Sequence, residues 1–319
     1  MKRTSGFSLI ELIIVLGVIA VILALMLPVL RGGTEAARRI QCMNNLKQIH
    51  LGLHGYHATH EVYPPGVVDG SRPFSETGAV MRTPWTAMLL PFCEQRAVYD
   101  TLNFDAGAAD AANSTARRTT INMMACPDSL PYGGWVGSSR SVLAGSAGQV
   151  TSPEFGRTSY AGCHHEIEKA VDVDDHGVFF LNSRVRAAEV FDGLSQTIFV
   201  GEVVAPAATG WLVGGRGSLR NTGAAINGLD AAALGDAAKS EAWRSSGRTP
   251  ADLEALIVDQ RITPPPGYVG GFGSNHRGDG AVFVFGDGSV RFLRASIDPT
   301  VFRRLGHRDD GEEIDDGSF

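Results

Sequence analysis

The sequence predicts an α+β protein in which a long N-terminal stem helix packs on an antiparallel β-sheet head with loop and helical insertions. Three patterns predict this class: an apolar run over residues 7–30, an amphipathic stretch over residues 31–60 and a two-strand pattern near the C-terminus. The chain has 319 residues, 44% of them hydrophobic, which suits one sizeable globular domain on a terminal segment. We therefore divide it into residues 1–6, the membrane half 7–30 and the amphipathic half 31–60 of the stem, and a head over 61–319 with an insertion at about 219–266.

The apolar run is long enough to cross a bilayer, because its uninterrupted part over residues 7–27 spans roughly 30 Å at about 1.5 Å per residue. Glu11 lies within this run, where an ionisable side chain costs about 2.5 to 3.5 kcal/mol unless it finds a partner. Cleavage between Gly6 and Phe7 would create a terminal amine that the Glu11 carboxylate of a neighbouring subunit can neutralise. We therefore predict that Glu11 is an assembly contact.

The segment over residues 2–12, KRTSGFSLIEL, resembles the class III signal of type IV prepilins and of type II secretion pseudopilins. The resemblance implies that a prepilin peptidase cleaves after Gly6 and methylates Phe7, and that Glu11 is the family's assembly glutamate. It places the helix-kinking proline of the family at Pro28. It further implies a pilin-like structural subunit, not an enzyme, which forms homo- or hetero-oligomers with other pilin-like subunits in the bacterial cell envelope.

Two other kinds of N-terminal segment are alternatives. An ordinary secretory signal has a shorter apolar run, of about 7 to 15 residues, before a small-residue cleavage site. An uncleaved signal anchor leaves Glu11 without a role. The basic residues Lys2 and Arg3 keep the N-terminus cytoplasmic, so we expect a single pass through the inner membrane. The head then lies in the periplasm, or outside the cell after assembly.

The net charge limits the kinds of partner that the sequence predicts, and the cysteine content bears on the redox state of its compartment. The chain has 28 basic and 34 acidic residues, a net charge of −6, so bulk electrostatics predicts no nucleic-acid partner. An oxidising compartment would allow up to two disulfides among four cysteines. Three pairings are open, and isolated core thiols are the alternative. The cysteines are Cys42, Cys93, Cys126 and Cys163.

The stem is expected to loosen or kink at Pro28 and the following glycine pair, and a second helical stretch is predicted from about Thr34. Its apolar residues recur every three or four positions, so this stripe should pack on a sheet. The stripe consists of Ala36, Ile40, Met43, Leu46, Ile49, Leu53 and Tyr56. Four histidines at similar spacing have the pattern of a metal site, but a solvated surface is the interpretation we favour. They are His50, His54, His57 and His60.

The head begins with a predicted amphipathic helix over residues 85–102, broken near Pro91, and a helical excursion over 105–122. Strands are predicted at 158–161, 177–181, 197–201 and 211–213. The clearest hairpin pattern covers 281–293, where Asp287-Gly288 predicts a type I′ turn. Its first strand is apolar on both faces, which predicts burial between the stem and another layer.

The C-terminal region is predicted to end in a short helix and a mobile tail. Asp298 is positioned to cap that helix, with Pro299 at its first turn. The acidic tail over residues 309–316 is the part expected to be mobile.

Motifs along the whole chain resemble a large pilin-like bacterial family named for a prepilin-processing-associated H-x(9)-DG motif. In this chain ten residues, not nine, separate His276 from the Asp287-Gly288 pair. The resemblance assigns that motif no settled role. The other matching segments are Cys42-Met43-Asn44-Asn45-Leu46-Lys47-Gln48, Tyr63-Pro64-Pro65-Gly66, Trp85 through Leu89-Leu90-Pro91-Phe92-Cys93-Glu94-Gln95, Cys126-Pro127-Asp128, Asp192-Gly193-Leu194-Ser195-Gln196-Thr197, Gly201-Glu202 and the end of the head from Phe272 to Leu293.

Catalysis is weakly supported by the sequence. His276 and Asp287 have the residue types of a base and its orienting group. However, Asp287 has a sufficient role in its turn, and the chain contains neither a GxSxG elbow nor a GxxxxGK[ST] loop. We expect a structural motif, and an envelope-anchored hydrolase using His276 is the competing hypothesis.

Ligand binding is the remaining alternative. Asp172, Asp174 and Asp175 resemble half of a calcium loop, but Ser183 stands where an EF-hand needs its glutamate. We expect no cofactor, and calcium is the weak candidate. The alternative function is a membrane-anchored extracytoplasmic ligand- or glycan-binding protein. The tryptophans that support it are Trp135, Trp211 and Trp243.

Overall fold

A computed structural model describes residues 9–70, 72, 83–129, 136–137, 154–203, 210–228, 267–315, 317 and 319. Several of the positions discussed above lie outside the described residues. These are Gly6, Phe7, Trp135, Trp243, most of the 219–266 insertion and the side chains of residues 22–35, which include Pro28.

The described helices are α1 (Leu9–His60), α2 (Trp85–Leu89), α3 (Arg96–Tyr99), α4 (Ser114–Arg118) and α5 (Pro299–Leu305). Short 3-10 helices cover Leu90–Phe92, Ala111–Asn113, Asn122–Met124, Pro127–Ser129, Ala187–Glu189 and Gly215–Gly217. The strands are β1 (Val67–Val68), β2 (Thr83–Pro84), β3 (Val136–Gly137), β4 (Glu154–Phe155), β5 (Tyr160–His165), β6 (Ile198–Glu202), β7 (Leu219–Asn221), β8 (Gly280–Phe285) and β9 (Val290–Arg294). This confirms the α+β class.

The stem is one continuous helix, α1, over 52 residues. The boundary predicted near Thr34 is therefore wrong, because helical backbone continues through it. Among the residues that the structure describes, no helix has an 18-residue stretch apolar enough to span a membrane.

The head covers only the C-terminal part of α1. Leu46, Ile49 and Leu53 are fully buried in the main core, as the apolar stripe predicted. The prediction is wrong for the first two residues of the stripe, since Ala36 is exposed and Ile40 is 58% exposed. The physical reason is that the buried face of the helix begins only at Cys42.

A five-stranded sheet forms the head, in the order β7-β5-β6-β8-β9. β6 is antiparallel to β5 and β8, and β8 is antiparallel to β9. β5 and β7 are parallel, so the sheet is mixed, and the predicted antiparallel arrangement holds for every neighbouring pair of this sheet except β5 and β7. The chain returns along the sheet after β6, and β7 therefore runs in the direction of β5.

The sheet lies between two apolar layers, as the pattern over 281–293 predicted. Val282 and Val284 of β8 join the cluster that contains the buried face of α1. Phe283 and Phe285 join a second cluster with Phe302 of α5. Alternate side chains of one strand thus contact the stem and the terminal helix.

Two of the other strand predictions are confirmed and two are wrong. β6 covers most of the predicted 197–201 strand, whereas β5 begins two residues later than the predicted 158–161 strand and continues to His165. The 177–181 segment is buried without being a strand, because the consecutive N–H groups of Val178 and Phe179 both donate to the Cys163 carbonyl of β5 and no regular ladder forms. Residues 211–213 form a turn, and β7 was not predicted.

The predicted helices of the early head are shorter than expected. The helix over 85–102 is broken at Pro91, as predicted, into α2, a 3-10 turn and α3. The excursion over 105–122 contains only a 3-10 turn and α4.

The hairpin turn between β8 and β9 differs from the predicted type I′ turn. Only Gly288 has a positive φ, at 83°, whereas a type I′ turn needs positive φ at Asp287 as well. The Gly288 N–H donates to the Phe285 carbonyl at 3.0 Å, so a longer turn closes on the glycine. This is the three-residue hairpin loop with glycine at its left-handed position.

The C-terminal end is docked, so the prediction of a mobile tail is wrong. Asp298 caps α5 as predicted, accepting from the Thr300 N–H at 2.7 Å. Beyond α5, Ile314 is buried and its carbonyl accepts from Gln196 at 3.2 Å.

Candidate functional site

A disulfide joins the stem to the head. It links Cys42 of α1 to Cys126, with a Cα–Cα distance of 5.2 Å and a sequence separation of 84 residues. Cys93 and Cys163 are free thiols. They contact different apolar clusters, Cys93 on the stem side of the sheet and Cys163 on the α5 side, which explains why they do not pair.

His276 lies beside this disulfide, enclosed by two carboxylates. Its Nε2 is 3.1 Å from Oε1 of Glu202 and 3.7 Å from Sγ of Cys126. Its Nδ1 is 3.2 Å from Oδ2 of Asp128, close enough for an ion pair although not aligned as a hydrogen bond. We call Cys42, Cys126, Asp128, Glu202 and His276 the junction site.

The junction site favours a charged imidazole. Burial alone lowers the pKa of His276, but the hydrogen bond to Glu202 and the negative charges of Glu202 and Asp128 outweigh it. The pKa of His276 is therefore raised above its ordinary 6.5. A carboxylate can only accept, so the imidazolium form satisfies both neighbours.

Glu202 is fixed by the sheet itself. It ends β6, and its Oε2 accepts from the Val282 N–H of β8 at 2.8 Å. The preceding Gly201 leaves room for the Phe283 ring, because a Cβ on Gly201 would lie 2.5 Å from that ring. The Gly201-Glu202 pair thus has a packing role and a charge role.

Polar side chains of α1 extend the junction site. Asn45 donates to the Ala125 carbonyl at 3.0 Å and to the Tyr160 hydroxyl at 3.3 Å. Arg38 is 3.5 Å from Asp128. Burial, followed by the charge of Glu202, raises the pKa of Tyr160, so this phenol stays neutral. The stem therefore contributes a disulfide, an amide and a cation to one place.

The histidine and the Asp-Gly pair of the motif lie at opposite ends of β8. His276 precedes the strand and Asp287 follows it, so the strand, at about 3.3 Å per residue, separates them by roughly 20 Å. Asp287 accepts from the Ser289 N–H at 2.8 Å within the turn. A Cβ on Gly288 would lie 2.8 Å from the His50 ring, so the turn contacts the stem.

Comparison with protein-family models found two matches. Residues 33–300 match a family described as a protein of unknown function, DUF1559, and residues 1–27 match the prokaryotic N-terminal methylation motif. The chain belongs to the DUF1559 family. The methylation motif indicates prepilin-type processing and a pilin-like protein associated with the cell envelope. No curated protein and no solved structure matches the chain.

The geometry does not favour the hydrolase hypothesis for this DUF1559 protein. Neither of its two families is a known enzyme family. His276 faces carboxylates on both nitrogens, and the sulfur next to it belongs to a disulfide. A general base needs a nitrogen directed at a nucleophile or a substrate. This arrangement instead supports charge pairing inside the fold.

The weak calcium candidates have other partners. Asp175 is fully buried, and its Oδ2 is 2.9 Å from Nδ1 of His164. Asp172 pairs with Arg72 at 3.3 Å, and Asp174 with Lys169 at 3.5 Å. Among the described residues, none of the three groups whose atoms converge for a metal includes these aspartates.

The tryptophan that the structure describes and the histidines of the stem were also candidate ligand-binding residues. Trp211 is fully buried, with its indole N–H donating to the Thr119 carbonyl at 2.8 Å, so it offers no face to a sugar. His50 packs at Gly288, and His57 accepts from the Ala187 N–H at 3.3 Å. The stem histidines thus lie at protein contacts or at the surface.

The N-terminal part of α1 has opposite surroundings. All large apolar side chains over residues 9–21 are exposed, from Leu9 at 75% to Ile19 at 46%. Glu11 is exposed among them. We call residues 9–21 the exposed half of α1 and residues 42–57 its buried half.

Sequence reasoning missed how the junction site is assembled. Asp128 and Glu202 stood out only as members of short motifs, and nothing in the sequence joined either to His276. The signal that could have linked them is that both acids and His276 lie in segments that match the same family, and a histidine can supply the cation that a buried acid such as Glu202 needs.

Proposed function

We propose that the protein is a pilin-like, pseudopilin-like structural subunit of the bacterial cell envelope. A prepilin peptidase cleaves between Gly6 and Phe7 and methylates Phe7. Residues 7–30 then hold the subunit in the inner membrane as a single pass, with the head in the periplasm or, after assembly, outside. One observation supports this most: a methylation motif over residues 1–27 leads into a helix whose apolar side chains are exposed over residues 9–21.

The exposed half of α1 supports a role outside the head. A contiguous exposed apolar surface of this kind indicates contact with membrane or protein. A helix satisfies its own backbone groups, so it can enter lipid or a bundle of like helices without further partners. When the subunit moves from the membrane into the core of a fibre, the same apolar side chains stay out of contact with water.

Glu11 then sets how neighbouring subunits fit together. In this proposal its carboxylate pairs with the methylated terminal amine of Phe7 in the next subunit. Charge pairing in a low-dielectric helix bundle is strong enough to select one axial stagger. Pro28 provides the kink expected of the family.

The buried half of α1 keeps the head at a fixed orientation on the stem. The disulfide, the junction site and the turn at Gly288 all connect the helix to the sheet. We propose that this is the role of the His276 and Asp287-Gly288 motif. A head fastened at both ends of β8 moves with the stem during assembly.

Substitution of Glu11 tests the assembly step. Glu11→Ala should leave the amount of full chain in the membrane fraction unchanged and abolish the oligomer ladder seen after chemical cross-linking of intact cells. Glu313→Ala is the matched control, because Glu313 is an exposed carboxylate in the tail of the head. A normal ladder from Glu11→Ala would contradict the proposed pairing.

A further inference from the structure

A second cluster of titratable groups lies at the end of β5, separate from the junction site. His165 is the last residue of the strand, Glu166 follows it, and His176 comes from the loop that covers the strand end. The Glu166 carboxylate lies between two imidazoles, 2.9 Å from Nδ1 of His165 and 3.0 and 3.1 Å from Nδ1 of His176. The two rings stack with centroids 4.5 Å apart.

Nδ1 of His165 has two polar neighbours. The Ile167 nitrogen lies 3.1 Å from it, and a carboxylate oxygen of Glu166 lies 2.9 Å from it. An imidazole nitrogen offers either one N–H or one lone pair, so Nδ1 can bond only one of these neighbours at a time. A metal ion bound to this lone pair and to the carboxylate would replace the contact with Ile167.

The spacing of the three groups suits a metal ion. Their ligand atoms all lie within 4.8 Å of one another. Bonds of about 2.0 to 2.1 Å in tetrahedral geometry separate two ligand atoms by roughly 3.4 Å. The separations of 2.9 to 3.1 Å between Glu166 and each histidine therefore need shifts of only a few tenths of an ångström, and the ligand atoms of the two histidines lie within 4.8 Å of each other.

Exposure gives the cluster one closed side and one open side. The His165 side chain is 2% exposed, that of Glu166 is 20% exposed and that of His176 is 44% exposed. A buried nitrogen fixes the position of an ion, and the exposed side leaves coordination sites for water.

The loop that carries His176 is held in place independently. The Arg308 N–H donates to the His176 carbonyl at 3.1 Å, and the Arg308 guanidinium donates to carbonyls of Asp175 and Gly177 at 2.6 and 2.7 Å. The His307 ring also packs on His176, with centroids 4.6 Å apart. The ligands are thus positioned before an ion arrives, which lowers the entropy cost of binding.

We propose that His165, Glu166 and His176 bind one divalent transition-metal ion. Two imidazoles and one carboxylate suit zinc, nickel, copper or non-haem iron, whereas calcium and magnesium prefer oxygen ligands. A neighbouring group of Asp192, His307 and Asp310 is less suited, because Asp192 already accepts from the Asp310 and Gly311 N–H groups at 2.8 Å. The ion would fasten the loop over residues 172–177 to the end of β5.

Isothermal titration of the full chain in detergent, without a histidine tag, tests the proposal with zinc chloride as the probe. One equivalent should bind, and calcium chloride should not compete. His176→Ala should weaken zinc binding at least tenfold, and Glu166→Gln, which keeps the side-chain shape, should do the same. His54→Ala is the matched control, because His54 is an exposed stem histidine.

Each result of the titration decides for or against the site. Loss of binding in His176→Ala and Glu166→Gln, with His54→Ala unchanged, supports the site at the end of β5. Loss in His54→Ala alone would move the ion to the stem and overturn the proposal. Absence of zinc binding by the unaltered chain would overturn the proposal as well.

Discussion

The two halves of α1 share one secondary structure and have opposite surroundings. Apolar side chains of the exposed half point to solvent, whereas Leu46, Ile49 and Leu53 of the buried half are enclosed by the head. Helix formation therefore does not decide the role of either half. The buried half finds its partners within the chain, and the exposed half needs partners that other molecules provide.

Contacts of different chemical kinds hold the buried half of α1 to the head. The disulfide at Cys42 limits separation of stem and head, the His276 charges lie beside it, and Gly288 contacts His50 one β-strand away. Each contact can be removed alone, and none involves the exposed half. The predictions below use that separation, from the largest expected effect to the smallest.

Removal of the disulfide should cost most. Cys42→Ser with Cys126→Ser opens a loop of 84 residues, and loop entropy then predicts a loss of about 4 kcal/mol in the free energy of unfolding. Urea unfolding of the full chain in detergent measures it. Cys93→Ala is the control, since Cys93 is a free thiol. Equal losses in the two variants would show that the bond does not fasten the stem.

Truncation of one leucine in each half tests the comparison itself. Leu46→Ala removes a fully buried side chain and should cost about 3 kcal/mol. Leu16→Ala, in the exposed half, should change the free energy of unfolding by less than about 0.5 kcal/mol. Urea unfolding of both variants checks the difference. Similar losses would contradict the assignment of separate roles to the halves.

His276→Ala should cost about 2 kcal/mol at pH 6, because it removes the cation that pairs with buried Glu202 and leaves Asp128 paired with the more exposed Arg38. The raised pKa of His276 gives the effect a pH dependence. Its contribution is complete below the unfolded-state pKa of about 6.5 and is lost as pH rises through the higher folded-state pKa. The loss in His276→Ala should therefore shrink above that range.

His50→Ala is the control for this pH profile. Burial and the charge of His54 lower the pKa of His50, against a smaller raising effect of Asp287. Neutral His50 is thus favoured in the fold, and its protonation destabilises the protein as pH falls below about 6.5. His50→Ala should therefore change the free energy of unfolding mainly on the acid side, below about pH 6.5. A pH-independent loss in His276→Ala would contradict the charged junction site.

Gly288→Ala should have the smallest effect among the changes to contacts between stem and head, a loss of about 1 to 2 kcal/mol. The residue has a φ of 83°, which costs an L-amino acid roughly 1 to 2 kcal/mol, and the new Cβ would press on His50. Thermal unfolding compared with Gly70→Ala provides the control, because a Cβ on Gly70 meets nothing within 4 Å. No difference between the two would show that the turn does not contact the stem tightly.

Local patterns predicted much of the fold. The capped helix at Asp298 and the two-faced strand β8 were correct because neighbouring residues determine caps and alternation. The turn type failed at Asp287, since the hairpin closes with a longer loop than the Asp-Gly pair indicated. The docked tail also escaped prediction, because Ile314 finds its contacts on distant segments.

The candidate sites also depend on contacts between residues that are distant in the sequence, which local patterns do not reveal. Cys42 and Cys126 are 84 residues apart, and only the fold selects this pair from the six that four cysteines allow. His276 was linked to Asp287 because they share a motif, whereas the structure places Glu202 and Asp128 around it. His165, Glu166 and His176 were not noticed, because a short irregularity at the end of β5 and a covering loop bring them together.

The mature N-terminus tests the central claim most directly. Intact-mass analysis of the full chain from the membranes of cells with an active prepilin peptidase, beside cells lacking it, should show loss of residues 1–6 and a methylated Phe7 only in the former. Phe7, two residues before the exposed half, would then carry the charged amine that Glu11 needs. A chain that still begins at Met1 in both cells would contradict the account.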